Sequence, residues 1–330
     1  MTVGKRTITL LFLVILLAGC SPVATVPAGQ PRGHDVATAA QPPLPASGPA
    51  SHAPSRPTPS RTGTGVPNSP PLPHPTGTLH YIANTGGVTQ VAQLGYDLFD
   101  TGPDPDQLAT LPAGTRALVW LGSLDNDACA SPSYTFAQFT AAVDRLAGNP
   151  RVYGYFIADE PHPKVCPNAV ADIRARADYI HAHDPTHKSF IVVLDGTNQC
   201  GGSYGCEFDA FRPAASHVDL IGLDPYPCNV TSSSCDYSKI DDTVHRAEAH
   251  GIPASAVVPV FQAFGQACTS SPYYRMPSAT ELRTMLQHWA DAVPHPAFDY
   301  TYSWGRQGSS CPTLVDSPAL QAVLRAHNLG

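Results

Sequence analysis

Between residues 77 and 330 the chain alternates short apolar runs with longer stretches in which apolar residues recur every three or four positions, and it does so eight times. The short runs read as strands buried on both faces, and the longer period reads as helices with one face against a core. Strands are predicted at His80–Ala83, Tyr96–Phe99, Ala117–Leu121, Tyr153–Ala158, Phe190–Leu194, Leu220–Leu223, Val257–Phe261 and Tyr300–Ser303. Helices are predicted near 87–94, 104–111, 136–147, 167–183, 207–215, 238–250, 278–293 and 317–327, the first two being short. Local signals support several bounds. Thr135 is placed to cap 136–147 ahead of Gly148 and Pro150, Ser278 to Glu281 has the reciprocal capping spacing, and Gly251-Ile252-Pro253 stops the helix before the seventh strand. Eight βα units with no long antiparallel section predict an α/β chain folded as a closed (β/α)8 barrel, the TIM-barrel architecture, and some 254 residues is the usual size for one. No Gly-x-Gly-x-x-Gly follows any strand, which argues against an open dinucleotide-binding sheet.

The pattern ahead of residue 77 is different. Lys5 and Arg6 precede an apolar run from Ile8 to Leu17 that is short for a bilayer span, and Leu17-Ala18-Gly19-Cys20 follows. This resembles the signal and lipobox of bacterial lipoproteins. The resemblance implies cleavage before Cys20, acylation of that cysteine, and an exported protein held on the outer face of the bacterial cell membrane by its lipid. Residues 21–76 hold 15 of the 35 prolines, mixed with Ala, Ser, Thr and Gly. Such a segment has too little apolar surface to offset its ordering entropy and reads as a disordered tether. Fully extended, it reaches on the order of 170 Å. The predicted organisation is a signal over 1–20, a tether over 21–76 and a barrel over 77–330.

A net charge of −7 is mild for 330 residues and offers no basic stripe, so nucleic acid is not an expected partner. No cofactor motif or metal cluster is evident, and a monomer is expected. Apart from Cys20, eight cysteines remain, at 129, 166, 200, 206, 228, 235, 268 and 311. Each falls after a predicted strand and before or at the next helix, hence at the end of the barrel that carries active sites. An even number in an exported chain predicts four disulfides. The expected pairs are Cys200–Cys206 and Cys228–Cys235 as local clips, with Cys129–Cys166 and Cys268–Cys311 tying neighbouring loops.

The predicted strand ends also bring chemistry together. Val152 to Ala158 is an apolar run that ends in Asp159 and Glu160, and the other ends carry Asp100, Trp120, Asp195, Asp224 with Tyr226, Gln262, and Tyr302 with Trp304. Carboxyl groups and aromatic faces at one end of a barrel are what a carbohydrate site requires: acids to protonate and activate at a glycosidic bond, and rings on which a sugar stacks. Asp100 and Asp195 also sit beside Thr-Gly and Gly-Thr turns, where an aspartate commonly bonds the backbone.

Ala158-Asp159-Glu160-Pro161 resembles the Asn-Glu-Pro of the large clan of retaining (β/α)8 glycoside hydrolases known as clan A, whose Glu is the general acid/base. Asp219 to Pro227 looks like that clan's sixth-strand segment, and Tyr302-Ser303-Trp304-Gly305 is similar to its eighth-strand tryptophan segment. The resemblance spans the barrel in order and implies Glu160 as general acid, Tyr226 orienting the reacting group, Asp159 and Gln262 holding hydroxyls, and Trp304 stacking on a sugar. Two departures matter: Asp159 replaces the asparagine, and Gln262 stands where the clan has its nucleophilic glutamate. Asp224 is therefore expected as base or nucleophile, with Asp195 and Asp100 behind it, and Trp120 as a further platform. A chitinase-like acid ladder is excluded, because Tyr153, Phe156 and Ala158 occupy its positions. The expected function is hydrolysis of a glycosidic bond in a poly- or oligosaccharide. The alternatives are a non-catalytic carbohydrate-binding barrel and an extracellular scaffold for a protein partner.

Overall fold

Eight parallel strands pair in sequence order and close on themselves, β1 Leu79–Ile82, β2 Leu98–Thr101, β3 Arg116–Trp120, β4 Val152–Asp159, β5 Lys188–Val193, β6 Leu220–Leu223, β7 Val257–Gln262 and β8 Phe298–Tyr302. This is the expected (β/α)8 barrel. The computed structural model of the chain describes residues 77–85, 88–122, 134–164, 166–194, 205–266, 268–270, 272–305 and 311–330. The tether, the lipobox Cys20, Cys129, Cys200 and Asp195 lie outside the described residues. None of the described helices is long and apolar enough to cross a membrane.

The helices between strands are α1 Val88–Ala92, α2 Pro105–Thr110, α3 Phe136–Leu146, α4 Ala169–His183, α5 Cys206–Phe211, α6 Pro213–Ser216, α7 Ser238–Ala249, α8 Ala279–Ala292 and α9 Pro318–Leu329. Thr135 caps α3 and Ser278 opens α8 with a capping box, both as expected; at Thr135 the cap is also a full box, with the Gln138 side chain accepting the Thr135 N–H as Glu281 accepts that of Ser278. The helix predicted over 207–215 is two pieces. Pro213 lacks an N–H and crowds the residue before it, so Arg212 goes extended (φ −51°, ψ 149°) and α6 restarts after it. Every strand but β6 has a bound one or two residues from the position the apolar runs suggested. β2 begins at Leu98 because Tyr96, though apolar and buried, lies ahead of the ladder and donates its hydroxyl to Thr301 Oγ1 at 2.8 Å.

The period of two along each strand divides the interior into two layers. Tyr81, Leu98, Leu118, Phe156, Phe190, Val258, Val260, Phe298 and Tyr300 fill the barrel, while Ile82, Phe99, Val119, Tyr155, Ile191, Ile221 and Phe261 face the helices. Gly222 on β6 makes room in the inner layer, since a Cβ there would meet Val192 Cγ2 at 2.9 Å and Phe190 Cζ at 3.0 Å. At the opposite end from the predicted site, the β1–β8 seam and α9 converge on Asp299. Its carboxylate bonds His80 Nδ1 at 2.9 Å and His327 Nε2 at 2.9 Å, with all three residues buried.

Cys228–Cys235 and Cys268–Cys311 are disulfides, paired as expected. Cys166 and Cys206 are disulfide-bonded as well. Cys129 and Cys200, the partners expected for them, are outside the described residues.

Candidate active site

The strand β4 delivers Asp159 as its last residue, and Glu160 then turns the chain sharply, with φ at +45° and its N–H donated to Val192 O on β5 at 3.0 Å. A left-handed conformation is uncommon for a glutamate, and here it comes directly at a strand end. The β6 strand delivers Asp224 one residue past its end, where Tyr226 N–H closes a tight turn onto Asp224 O at 2.7 Å. Asp159, Glu160, Asp224 and Tyr226 line one cleft of about 450 Å3 at the C-terminal end of the barrel.

The electrostatics of these acids differ. Asp159 keeps some exposure to the cleft, yet burial by the barrel floor and, after it, the neighbouring charge of Glu160 push its carboxyl up to about 8. It is therefore mainly protonated at neutral pH and able to donate a hydrogen bond. The phenols around it stay protonated too. Burial pushes Tyr226, Tyr300 and Tyr302 upward, and the charges of Asp224 on Tyr226 and of Asp159 on the other two add to the effect.

The other wall is aromatic. Tyr302 on β8, Phe264 and Tyr274 in the segment after β7, and Tyr226 form a cluster with ring centroids 4.9–6.2 Å apart. That segment is fixed by backbone bonds to its neighbours. Gln266 Oε1 accepts from Tyr273 N and Tyr274 N, Arg275 N donates to Cys228 O, and Gly265 N donates to Pro312 O. The Cys268–Cys311 disulfide links this segment to the one after β8, and Cys311 lines the cleft.

Several expected site residues are placed elsewhere. Gln262 is fully buried and is not among the cleft-lining residues. Its Nε2 donates to Cys228 O and Arg275 O, and its Oε1 accepts from Cys228 N, so its amide is engaged by backbone and not available to sugar hydroxyls. Trp304 is 7% exposed and packs in the helix-side core, because the inward alternation of β8 ends at Tyr302. Tyr302 occupies the wall that Trp304 was expected to provide. Trp120 packs edge-on against Phe156 with centroids 4.7 Å apart and does not line the cleft. Asp100 accepts Asn84 N–H at 3.2 Å and the Thr85 hydroxyl at 3.3 Å, the backbone-holding role open to it from sequence, and burial raises its pKa. Phe264, Gln266 and Tyr300 were missed. The period of two that marks Tyr302 as inward also marks Tyr300, whereas Phe264 lies beyond the strand and carried no comparable signal.

No family model matches the chain, and no curated protein sequence matches it. Solved structures do. A chitinase from Chromobacterium violaceum is 14% identical over 77% of this chain and 99% of its own, with a TM-score of 0.51. A GH128 (subgroup I) endo-beta-1,3-glucanase variant from Amycolatopsis mediterranei, in complex with laminaripentaose, is 18% identical over 76% of this chain and 100% of its own, with a TM-score of 0.50. The Bacillus cereus spore cortex-lytic enzyme SleL is 7% identical over 76% and 74%, with a TM-score of 0.51. The likeness is one of fold: this chain has the (β/α)8 barrel that these glycoside hydrolases carry.

Proposed function

We propose that the barrel hydrolyses a glycosidic bond in a poly- or oligosaccharide, with Glu160 as general acid and Asp224 as base or nucleophile. The observation that carries this reading is the placement of Glu160 and Asp224, from two different strand ends, on one cleft with an aromatic wall. Two carboxyl groups flanking a bound sugar are the minimum that glycoside hydrolysis needs. Asp159, neutral at pH 7, donates to a substrate hydroxyl. Tyr226 orients the reacting group, and Tyr302 offers a face for stacking. The protein acts outside the cell, anchored by lipid at Cys20 on the tether of residues 21–76.

Reducing-end release from bacterial cell-wall and plant polysaccharides by the purified chain tests the proposal. Release that disappears in Glu160→Gln while binding persists supports it, and absence of release from every polysaccharide counts against it. Carbohydrate binding without cleavage is the second reading. It is favoured by one observation, that β7 ends in an amide held by backbone and supplies no carboxylate.

A further inference from the structure

We propose that Tyr273 sets a preference for long saccharide chains over di- and trisaccharides, its exposed ring giving the cleft a further platform on the rim beyond Tyr274. This deepens the reading above and rests on it for the saccharide in the cleft. The first observation is a row of rings that leads outward. Tyr226 and Phe264 are each 9% exposed, Tyr274 is half-buried, and Tyr273, at 54%, is the most exposed large apolar side chain among the described residues. The rings of Tyr226 and Phe264 each lie 5.4 Å from that of Tyr274, which lines the cleft. Tyr273 is the next ring out, perpendicular to Tyr274 with centroids 4.7 Å apart.

The acids sit at the other end of this row. Burial raises the phenols of Tyr226 and Tyr302, and after it the charges of Asp224 and Glu160 act on both. A sugar held at these acids therefore meets Tyr302 and Tyr226, and only units further along the chain reach Tyr274 and then Tyr273.

A second observation is that the rim ring stands on a fixed backbone. Exposed apolar side chains scattered singly are ordinary, but Tyr273 is held by two segments at once. Its N–H donates to Gln266 Oε1 at 3.1 Å, and its carbonyl accepts the N–H of Val230, in the segment after β6, at 2.9 Å. Asn229 and Tyr274 form an antiparallel bridge between the same two segments. A tyrosine ring with few rotatable bonds on such a backbone loses little freedom when a ligand covers it. Its open face suits the apolar face of a sugar. Contact with a unit remote from the bond being broken is the same in ground and transition states, so it acts on affinity.

Titration calorimetry of the purified full chain and of Tyr273→Ala tests this with β-linked glucose and N-acetylglucosamine oligomers, dimer to hexamer, with cleavage of each followed in parallel. The parent is expected to bind the hexamer more tightly than the trimer. Tyr273→Ala should lose hexamer affinity by about three- to ten-fold and leave the trimer unchanged. Tyr273→Phe should keep the hexamer affinity, because the ring and not the hydroxyl is the platform. Hexamer affinity unchanged in Tyr273→Ala, or lost equally for the trimer, overturns the inference and leaves the hydrolase reading standing. The expected chain-length dependence without cleavage supports the inference and overturns the hydrolase reading alone. No binding and no cleavage of any oligomer overturns both.

Discussion

Gln262 grips both sides of one residue: its Oε1 accepts the N–H of Cys228 at 2.9 Å and its Nε2 donates to the carbonyl of Cys228 at 3.0 Å. The same Nε2 donates to Arg275 O at 2.9 Å, so one side chain at the end of β7 ties the segment after β6 to the segment carrying Tyr274. A carboxylate cannot do this. It accepts only, and it would face the carbonyl oxygens of Cys228, Arg275 and, at 3.4 Å, Phe264 with no proton to offer.

The first prediction follows. Gln262→Glu, which on sequence grounds looks like restoration of a lost nucleophile, should lower stability by about 2–4 kcal/mol at neutral pH through unsatisfied buried carbonyls and a buried charge. It should yield no gain in saccharide cleavage. Thermal melting alongside reducing-end assays checks both halves, and an active, equally stable variant would show that this side chain reaches the substrate.

Substitution within the cleft should separate chemistry from binding. Glu160→Gln and Asp224→Asn are each expected to reduce hydrolysis by about 10²–10⁴-fold, the range for loss of a general acid or base, with saccharide affinity largely retained for the first. Tyr302→Ala should instead weaken binding, because it removes a stacking face and no proton carrier. Full activity in Asp224→Asn would move the second catalytic role to another carboxyl group.

Much of this was legible in the sequence, for reasons that particular residues make clear. The strand that ends in Asp159 and Glu160 is a continuous apolar run, so both its burial and its terminus could be read. The same is true of Leu220–Leu223 and Asp224. That the cysteines cluster at one end of the barrel could be read from their places after the strands; Cys228–Cys235 and Cys268–Cys311 were expected as pairs, but spacing alone leaves eight cysteines with 105 pairings. Trp304 and Gln262 were misplaced because residue type suggested a role that backbone geometry decides. β8 stops pairing at Tyr302, which frees Trp304 to turn outward, and no pattern announces that the backbone around Cys228 will meet an amide. Phe264 was invisible because it lies beyond its strand, where alternation no longer applies.

Asp159 makes the fold sensitive to base. Its carboxyl is raised from 3.8 to about 8, so between those values the folded chain holds a proton that the unfolded chain has released, and stability falls as pH rises through that window. Asp159→Asn removes the penalty. The variant is expected to be as stable as the parent near pH 4 and more stable at pH 8, with the gap widening in between. Melting temperatures across pH 4–8.5 test this, and parallel curves would place the Asp159 carboxyl at its ordinary value.

The His80–Asp299–His327 cluster should respond on both sides of neutral, because its members shift apart. His80, which faces Asp299 and Asp97, has its pKa raised by these charges against the opposing effect of burial. Its contribution is complete below its unfolded value of 6.5 and is lost as pH rises through the higher folded one. Asp299 is buried but held down to about 2 by the two histidines, so its contribution is complete above 3.8 and is lost as pH falls from there through about 2. The seam joining β1, β8 and α9 is therefore strongest between about pH 4 and 6.5. Asp299→Asn leaves buried histidine without its counter-charge and should cost about 3–5 kcal/mol at pH 6, with the cost shrinking as His80 deprotonates at alkaline pH. Urea unfolding of parent and variant at pH 6 and pH 9 measures the difference. A cost that is the same at both would show that the cluster holds the seam as neutral hydrogen bonds, with no stored charge.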